Sequence, residues 1–154
     1  MDKTAINDAF LIEMLLFKVL RRHFGDRPEY AQLLDLMTET TLQTELGQLL
    51  DIKCDAAPLS AFTLDRWTAI VKYKTAFYSF YLPVAMGMIL AGIDEKKEYD
   101  AARDILVIMG VYFQAQDDYL DAFGAGAARN EATPVAAESR GAGLRDSPSL
   151  ERHT

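Results

Sequence analysis

Three carboxylates occupy a single helical turn of the otherwise apolar segment Phe113–Gly124. Asp117, Asp118 and Asp121 stand at i, i+1 and i+4, and Gln114 precedes them on the same face of the predicted helix. Like charges at this spacing destabilise a helix unless a proton or a cation compensates them. Carboxylate-only donors favour a hard ion, and Mg²⁺ binds through one or two carboxylates, waters and phosphate oxygens. The segment therefore predicts a magnesium site.

Other metal and nucleotide chemistries lack their usual residues. The two histidines, His23 and His153, are far from the aspartates in sequence, and Cys54 is the only cysteine, which argues against zinc. No Glu-x-x-His pair supports a di-iron bundle, and no glycine-rich phosphate loop is present. A solvated acidic helix face remains the alternative interpretation of the aspartate string.

Two further predicted helices carry polar stripes at helical spacing. The stripes consist of Thr44, Gln48 and Asp51 on one helix and of Lys74, Thr75 and Tyr78 on the next. A cation, a hydroxyl and a phenol in an apolar helix suit an anionic ligand, and three inward stripes would enclose a polar-walled pocket. Alternatively, Lys74 is a surface lysine, Tyr78 is a core residue, and the other stripe only hydrogen-bonds within the bundle.

These stripes require long helices to position them. The predicted helices run from Ala9 to His23, from about Pro28 to Lys53, from after Thr63 to Tyr81, on to Leu90 after a kink or break at Pro83, and from about Glu95 to Phe123. No alternating strand pattern occurs, so the predicted class is an all-α bundle of long helices. Because the last helix is apolar around most of its circumference, we expect other helices to surround it and its aspartates to face inward.

Composition limits the compartment and the partners. A net charge of −7 disfavours binding to nucleic acid and to anionic membranes. A single cysteine indicates a reducing compartment, and we expect the cytoplasm. The apolar run 77–93 is at the lower length limit of a membrane span, but Pro83 and Gly87 interrupt it, which favours a buried core helix without stable membrane insertion.

The last 30 residues, 125–154, have a different composition. They contain no aromatic residue, their larger apolar side chains are Val135, Leu144 and Leu150, and four arginines balance four acidic residues. Such a segment buries too little apolar surface to offset its conformational entropy. The sequence therefore predicts a helical domain over 1–124 and a disordered tail over 125–154.

Four stretches of the chain, in order, resemble the short-chain trans-prenyltransferases of the polyprenyl synthetase family. The stretches are Ile6–Ala9, Gln43–Gln48, Val71–Pro83 and Phe113–Gly124. The resemblance implies part of an isoprenoid-synthase-type bundle, and a homodimer in the intact enzyme. It also implies Mg²⁺-dependent condensation of isopentenyl diphosphate with an allylic diphosphate, in which an allylic cation forms, the homoallylic double bond attacks it and a proton is lost.

The resemblance also implies residue roles. Asp117, Asp118 and Asp121 match the second aspartate-rich motif and would face Mg²⁺. Lys74, Thr75 and Gln114 would be the catalytic residues that bind the allylic substrate. Tyr78, Gln48 and Asp51 would line the cavity. Gln48 and Tyr78 would also bind substrate, and Asp51 would also bind the metal.

Two parts of the family pattern are missing from these 154 residues. They are a first aspartate-rich motif with a following arginine pair, and the basic residues that hold isopentenyl diphosphate. We therefore interpret the chain as an internal fragment that is inactive alone. Two other functions stay open at this point: a noncatalytic helical module that pairs with a complete subunit, and a simple divalent-ion-binding bundle.

Overall fold

The computed structural model describes residues 3–54 and 57–124. The chain divides into two units, Met1–Gln114 and Ala115–Thr154, which are described separately. The predicted disordered tail, 125–154, lies outside the described residues.

All regular secondary structure within 3–54 and 57–124 is helical, without a strand, so the predicted all-α class is confirmed. The elements are α1 Lys3–Phe24, α2 Tyr30–Cys54, a 3₁₀ turn Leu59–Ala61, α3 Leu64–Val71, a π-helical segment Lys72–Tyr81, α4 Leu82–Leu90 and α5 Lys96–Phe123. Helix α1 begins six residues before the predicted start, whereas the observed ends of α2, α4 and α5 lie within about two residues of the prediction, the usual uncertainty of helix ends.

The helix that contains the middle polar stripe begins as predicted at Thr63. The Thr63 side chain accepts a hydrogen bond from the Arg66 backbone N–H at 3.2 Å, which satisfies one of the donors left free in a first turn. The winding then changes to a π-helix directly before Pro83, and the Leu82 N–H donates to the Phe77 carbonyl. The helical backbone is continuous from Leu64 to Leu90, so of the kink or break predicted at Pro83 the break is not found.

The core of the first unit forms where α1, α2 and α4 meet. Its buried residues are Leu20, Leu33 and Ile89, and Phe24, Tyr30, Leu34, Leu36, Met37, Met86 and Tyr99 pack against them. Because these residues come from α1, α2, α4 and the first turn of α5, this cluster holds four helices together.

Many large apolar side chains of this chain are nevertheless exposed. On α1 they include Phe10 and Ile12, which are 65% and 60% exposed, and on α5 they include Ile108 and Tyr112, both 70% exposed. The expectation that other helices surround the last helix is therefore wrong for this chain. The apolar pattern indicated surfaces suited to burial, but within the described residues nothing covers these faces.

None of the helices in the described part of the chain combines the length and the apolar character that a membrane span requires.

Helix α4 ends at a glycine in the left-handed region. Gly92 has φ +73°, and its N–H donates to the Ile89 carbonyl at 3.0 Å. The Ile93 N–H donates to the Met88 carbonyl, also at 3.0 Å, which completes a Schellman motif.

We expect Gly92→Ala to lower the free energy of unfolding by about 1–2 kcal/mol, because an L residue is strained at positive φ. Gly87→Ala is the matched control. Neither glycine has an atom within 4 Å of an added Cβ, but Gly87 lies inside α4, where alanine is favoured by about 0.5–1 kcal/mol. Urea unfolding followed by circular dichroism measures both, and effects of the same sign would contradict the assignment of strain to Gly92.

Candidate active site

The π-helical segment holds two adjacent polar residues, Lys74 and Thr75, and each contacts a different helix. The Lys74 ammonium lies 2.6 Å from a carboxylate oxygen of Asp51 on α2. The two side chains are 23% and 38% exposed, so water reaches both. Because of this exposure the pair contributes at most about 1 kcal/mol to stability, and its main effect is to fix the position of the ammonium.

Thr75 is buried, and its hydroxyl donates to the side-chain oxygen of Gln114 on α5 at 3.0 Å. A buried hydroxyl needs such a partner, since leaving it unsatisfied would cost about 1–3 kcal/mol. The hydrogen bond also orients the Gln114 amide. The structure thus brings together two of the predicted site residues, Thr75 and Gln114, and gives Lys74 an acidic partner.

Aromatic side chains lie on the same π-helical segment as Lys74 and Thr75. Phe77 is buried, and its ring centroid lies 5.7 Å from that of Tyr73 and 6.1 Å from that of Tyr81. The ammonium of Lys72 lies 5.7 Å from the Phe77 centroid, within the range of a cation–π interaction. The π-helical segment therefore combines cations with aromatic faces.

Phenol and carboxylate groups near the start of α5 have shifted pKa values. Partial burial raises the pKa of Tyr81, with Arg103 opposing this shift. Burial and the nearby Asp94 carboxylate raise the pKa of Tyr99. The pKa of Asp100 is lowered, chiefly by its hydrogen bond to Lys96. Both phenols therefore stay neutral at physiological pH.

The other predicted lining residues are less enclosed. Tyr78 is 49% exposed, so the alternative of a core tyrosine is wrong, and Gln48 is exposed on α2. Thr44 donates from its hydroxyl to the Thr40 carbonyl of its own helix at 2.9 Å. Asp51 forms an ion pair with Lys74, which the sequence pattern did not predict.

Asp117, Asp118 and Asp121 belong to the second unit, on the last turns of α5, and all three are exposed. The expected inward orientation is therefore not found in this chain. Within 3–54 and 57–124, no group of three or more His, Cys, Asp or Glu side chains could hold a metal ion. The donor chemistry still fits Mg²⁺ in one form, in which one or two carboxylates share the ion with waters and a phosphate ligand.

Comparisons with known proteins identify the family of this chain. The sequence model of the polyprenyl synthetase family matches residues 1–133, and the chain belongs to this family. It is 54% identical over 123 residues to the farnesyl pyrophosphate synthase of Gallus gallus, covering 78% of this chain and 34% of that protein. The family resemblance read from the motifs is confirmed.

Two further relatives are also named farnesyl diphosphate or farnesyl pyrophosphate synthases. The chain is 49% identical over 122 residues to the farnesyl diphosphate synthase of Dictyostelium discoideum, covering 78% of this chain and 32% of that protein. It is 50% identical over 123 residues to the farnesyl pyrophosphate synthase of Saccharomyces cerevisiae, covering 78% and 35% respectively. The chain thus spans about a third of the length of the curated relatives it matches.

Proposed function

We propose that this chain provides the residues that bind the allylic diphosphate in a farnesyl diphosphate synthase-type prenyltransferase of isoprenoid biosynthesis. The observation that carries the proposal is the pairing of Lys74 with Asp51 and of Thr75 with Gln114. It places a cation and an oriented hydroxyl side by side on one aromatic segment, with the Gln114 amide of α5 bonded to that hydroxyl. The second substrate would be isopentenyl diphosphate.

In the proposed reaction the allylic C–O bond breaks, and diphosphate leaves with the electron pair. The homoallylic double bond of isopentenyl diphosphate forms the new C–C bond, and a proton is lost from the product. Lys74 binds the departing diphosphate, while Thr75 and Gln114 orient the allylic substrate. The buried ring of Phe77 excludes water, which would otherwise quench an allylic cation.

Asp117, Asp118 and Asp121 are the proposed magnesium ligands, and Asp51 is a further candidate. Magnesium, when bound, neutralises charge on the leaving diphosphate. Because the described residues contain no ready-made metal cluster, we expect the ion to bind together with a phosphate ligand and weakly without one. This expectation separates the proposal from a simple divalent-ion-binding bundle.

The intact enzyme is proposed to be a cytoplasmic homodimer. The exposed apolar residues of α1, among them Phe10 and Leu11, support pairing with another protein surface. The same residues would serve a noncatalytic module that only pairs with a complete subunit. Such a module would have no affinity for diphosphates, so ligand binding distinguishes the two functions.

Calorimetric titration of the 154-residue chain tests the proposal. We expect inorganic pyrophosphate to bind with Mg²⁺ present and to bind at least about tenfold more weakly without it, since the ion would supply the positive charge that offsets the repulsion between carboxylates and phosphate. Replacing Asp117, Asp118 and Asp121 together with asparagine should remove the magnesium dependence.

The control carries the same change of charge at other exposed carboxylates, with Asp26, Asp65 and Asp104 replaced by asparagine. Its affinity and magnesium dependence should match those of the unchanged chain. Equal losses in both triple variants would mean that only net charge matters. Absence of any magnesium-dependent binding in the unchanged, folded chain would refute the proposed function.

A further inference from the structure

We propose that Gly47 and Gly110 are positioning residues, which let α2 and α5 approach the π-helical segment closely enough to hold Lys74 and Thr75 in place. The geometric part of this inference stands by itself, and its consequence for ligand binding rests on the proposed function. Each glycine precedes a polar partner by four residues on the same helix: Gly47 precedes Asp51, and Gly110 precedes Gln114. Residues at this spacing lie on one helix face.

Gly47 is buried where α2 meets the backbone of the π-helical segment. A Cβ added at Gly47 would lie closest to the backbone nitrogen of Lys74, 2.7 Å from the carbonyl carbon of Tyr73 and 2.9 Å from the Lys74 Cα. These atoms are backbone, so no side-chain rotation can relieve the overlap. A side chain at position 47 would therefore push α2, and with it Asp51, away from Lys74.

Gly110 lies against the other side of the same segment. A Cβ added there would lie 2.5 Å from both the Cα and the Cβ of Ala76, the neighbour of Thr75, and 3.1 Å from the ring of Phe80. Gly110 is the one buried residue of α5. Its missing side chain thus allows the approach that places Gln114 within hydrogen-bond distance of Thr75.

The displacement required is large relative to the tolerance of these hydrogen bonds. Carbon atoms pack at about 3.5–4.0 Å, so an alanine at position 110 would require a shift of about 1 Å. The Thr75–Gln114 hydrogen bond measures 3.0 Å, and the same shift would carry it past about 3.5 Å, where it no longer counts as a hydrogen bond. The bond is therefore lost well before the helices separate.

The geometry is tested by nuclear magnetic resonance, without any ligand. The Gln114 side-chain amide signal is identified by its loss in Gln114→Ala. When Thr75→Val is the only substitution, this signal should shift. In a Gly110→Ala background the signal should no longer respond to Thr75→Val. In Gly87→Ala, where an added Cβ meets no atom within 4 Å, and in Gly47→Ala, which affects the other helix, the response should persist.

An undiminished response in Gly110→Ala overturns the inference. If Gly110→Ala does not fold, judged by circular dichroism, the double variant Gly110→Ala with Ala76→Gly is measured. The second change removes the Cβ of residue 76, which is one of the two atoms that the added methyl group overlaps most, so the chain should fold. The Cα of that residue still lies 2.5 Å from the added methyl group, so the response should stay reduced. A full response there also overturns the inference.

A second arm measures pyrophosphate affinity in the presence of Mg²⁺. Gly47→Ala and Gly110→Ala should each weaken binding by at least about tenfold, the loss expected for a displaced charged or amide hydrogen bond, and Gly87→Ala should not. Equal affinities in all three variants count against the positioning role. If the unchanged chain binds no pyrophosphate, the proposed function fails, while the amide signal still decides the inference about Gly110.

Discussion

Replacing Lys74 with glutamine is expected to weaken magnesium-dependent pyrophosphate binding by about 10- to 100-fold, the range for losing a charged hydrogen bond. The ammonium of Lys74 is held by Asp51 at 2.6 Å, so it is already fixed before a ligand arrives. The substitution also leaves the Asp51 carboxylate without its cation, in a chain of net charge −7. An approaching anion would therefore lose an attraction and meet an uncompensated repulsion. Calorimetric titration gives the affinity directly.

Lys72 provides the matched control, because it lies on the same segment but its ammonium contacts aromatic rings rather than Asp51. Lys72→Gln removes the same charge, and its effect should stay within about threefold, as expected for a screened surface charge. A comparable loss in both variants would mean that Lys74 has no specific role.

Asp51→Asn distinguishes two roles for the carboxylate. If Asp51 positions Lys74, the variant should bind pyrophosphate more weakly both with and without Mg²⁺, because the ammonium is no longer held in place. If Asp51 binds Mg²⁺, as the family resemblance implies, the variant should lose affinity only when Mg²⁺ is present. The affinity measured without Mg²⁺ therefore decides between the positioning role and the metal role.

Leu33→Ala is expected to lower the free energy of unfolding by about 2–5 kcal/mol, the range for truncating a buried leucine. Leu33 is completely buried at the centre of the cluster that it forms with Leu20 and Ile89. Because that cluster joins α1, α2 and α4, a cavity there weakens the packing of three helices at once. Domains of this size are stable by only about 5–15 kcal/mol, so the loss is a large fraction of the total.

Urea unfolding followed by circular dichroism measures this loss. Leu46→Ala is the control on the same helix, since Leu46 is 52% exposed, and its effect should stay within about 0.5 kcal/mol. Equal effects at positions 33 and 46 would contradict the assigned core. The comparison also calibrates the active-site variants, whose binding losses should occur without a change of this size in stability.

Local signals in the sequence predicted most of the fold. Thr63 marks a helix start through its side-chain chemistry, and the helix begins there as expected. Gly92 marks a helix end through its backbone freedom. The π-helical segment was not predicted, because i→i+5 winding has no recognised sequence pattern and Pro83 alone indicates a kink or a break. The early start of α1 was missed because Lys3–Asp8 has little apolar character.

The candidate site was predicted in its residue types more than in its geometry. Lys74, Thr75 and Gln114 were selected from stripes and motifs, and the structure supplies the partners that hold them. The exposure of the α5 aspartates could not be predicted, because an apolar flank shows only that a helix face suits burial. It does not identify the surface that covers that face. Gly47 and Gly110 escaped notice, since a missing side chain matters only once two helices are known to touch.

The π-helical winding of Lys72–Tyr81 restricts the number of residues that this segment can contain. Each residue of a π-helix advances through a smaller angle than a residue of an α-helix, so ten residues accumulate a rotational lag. That lag determines the direction in which Ala85 and Ile89 of α4 enter the core. A one-residue deletion or insertion within 72–81 would preserve a helix but rotate everything that follows it. The segment can therefore exchange side chains far more readily than it can change its number of residues.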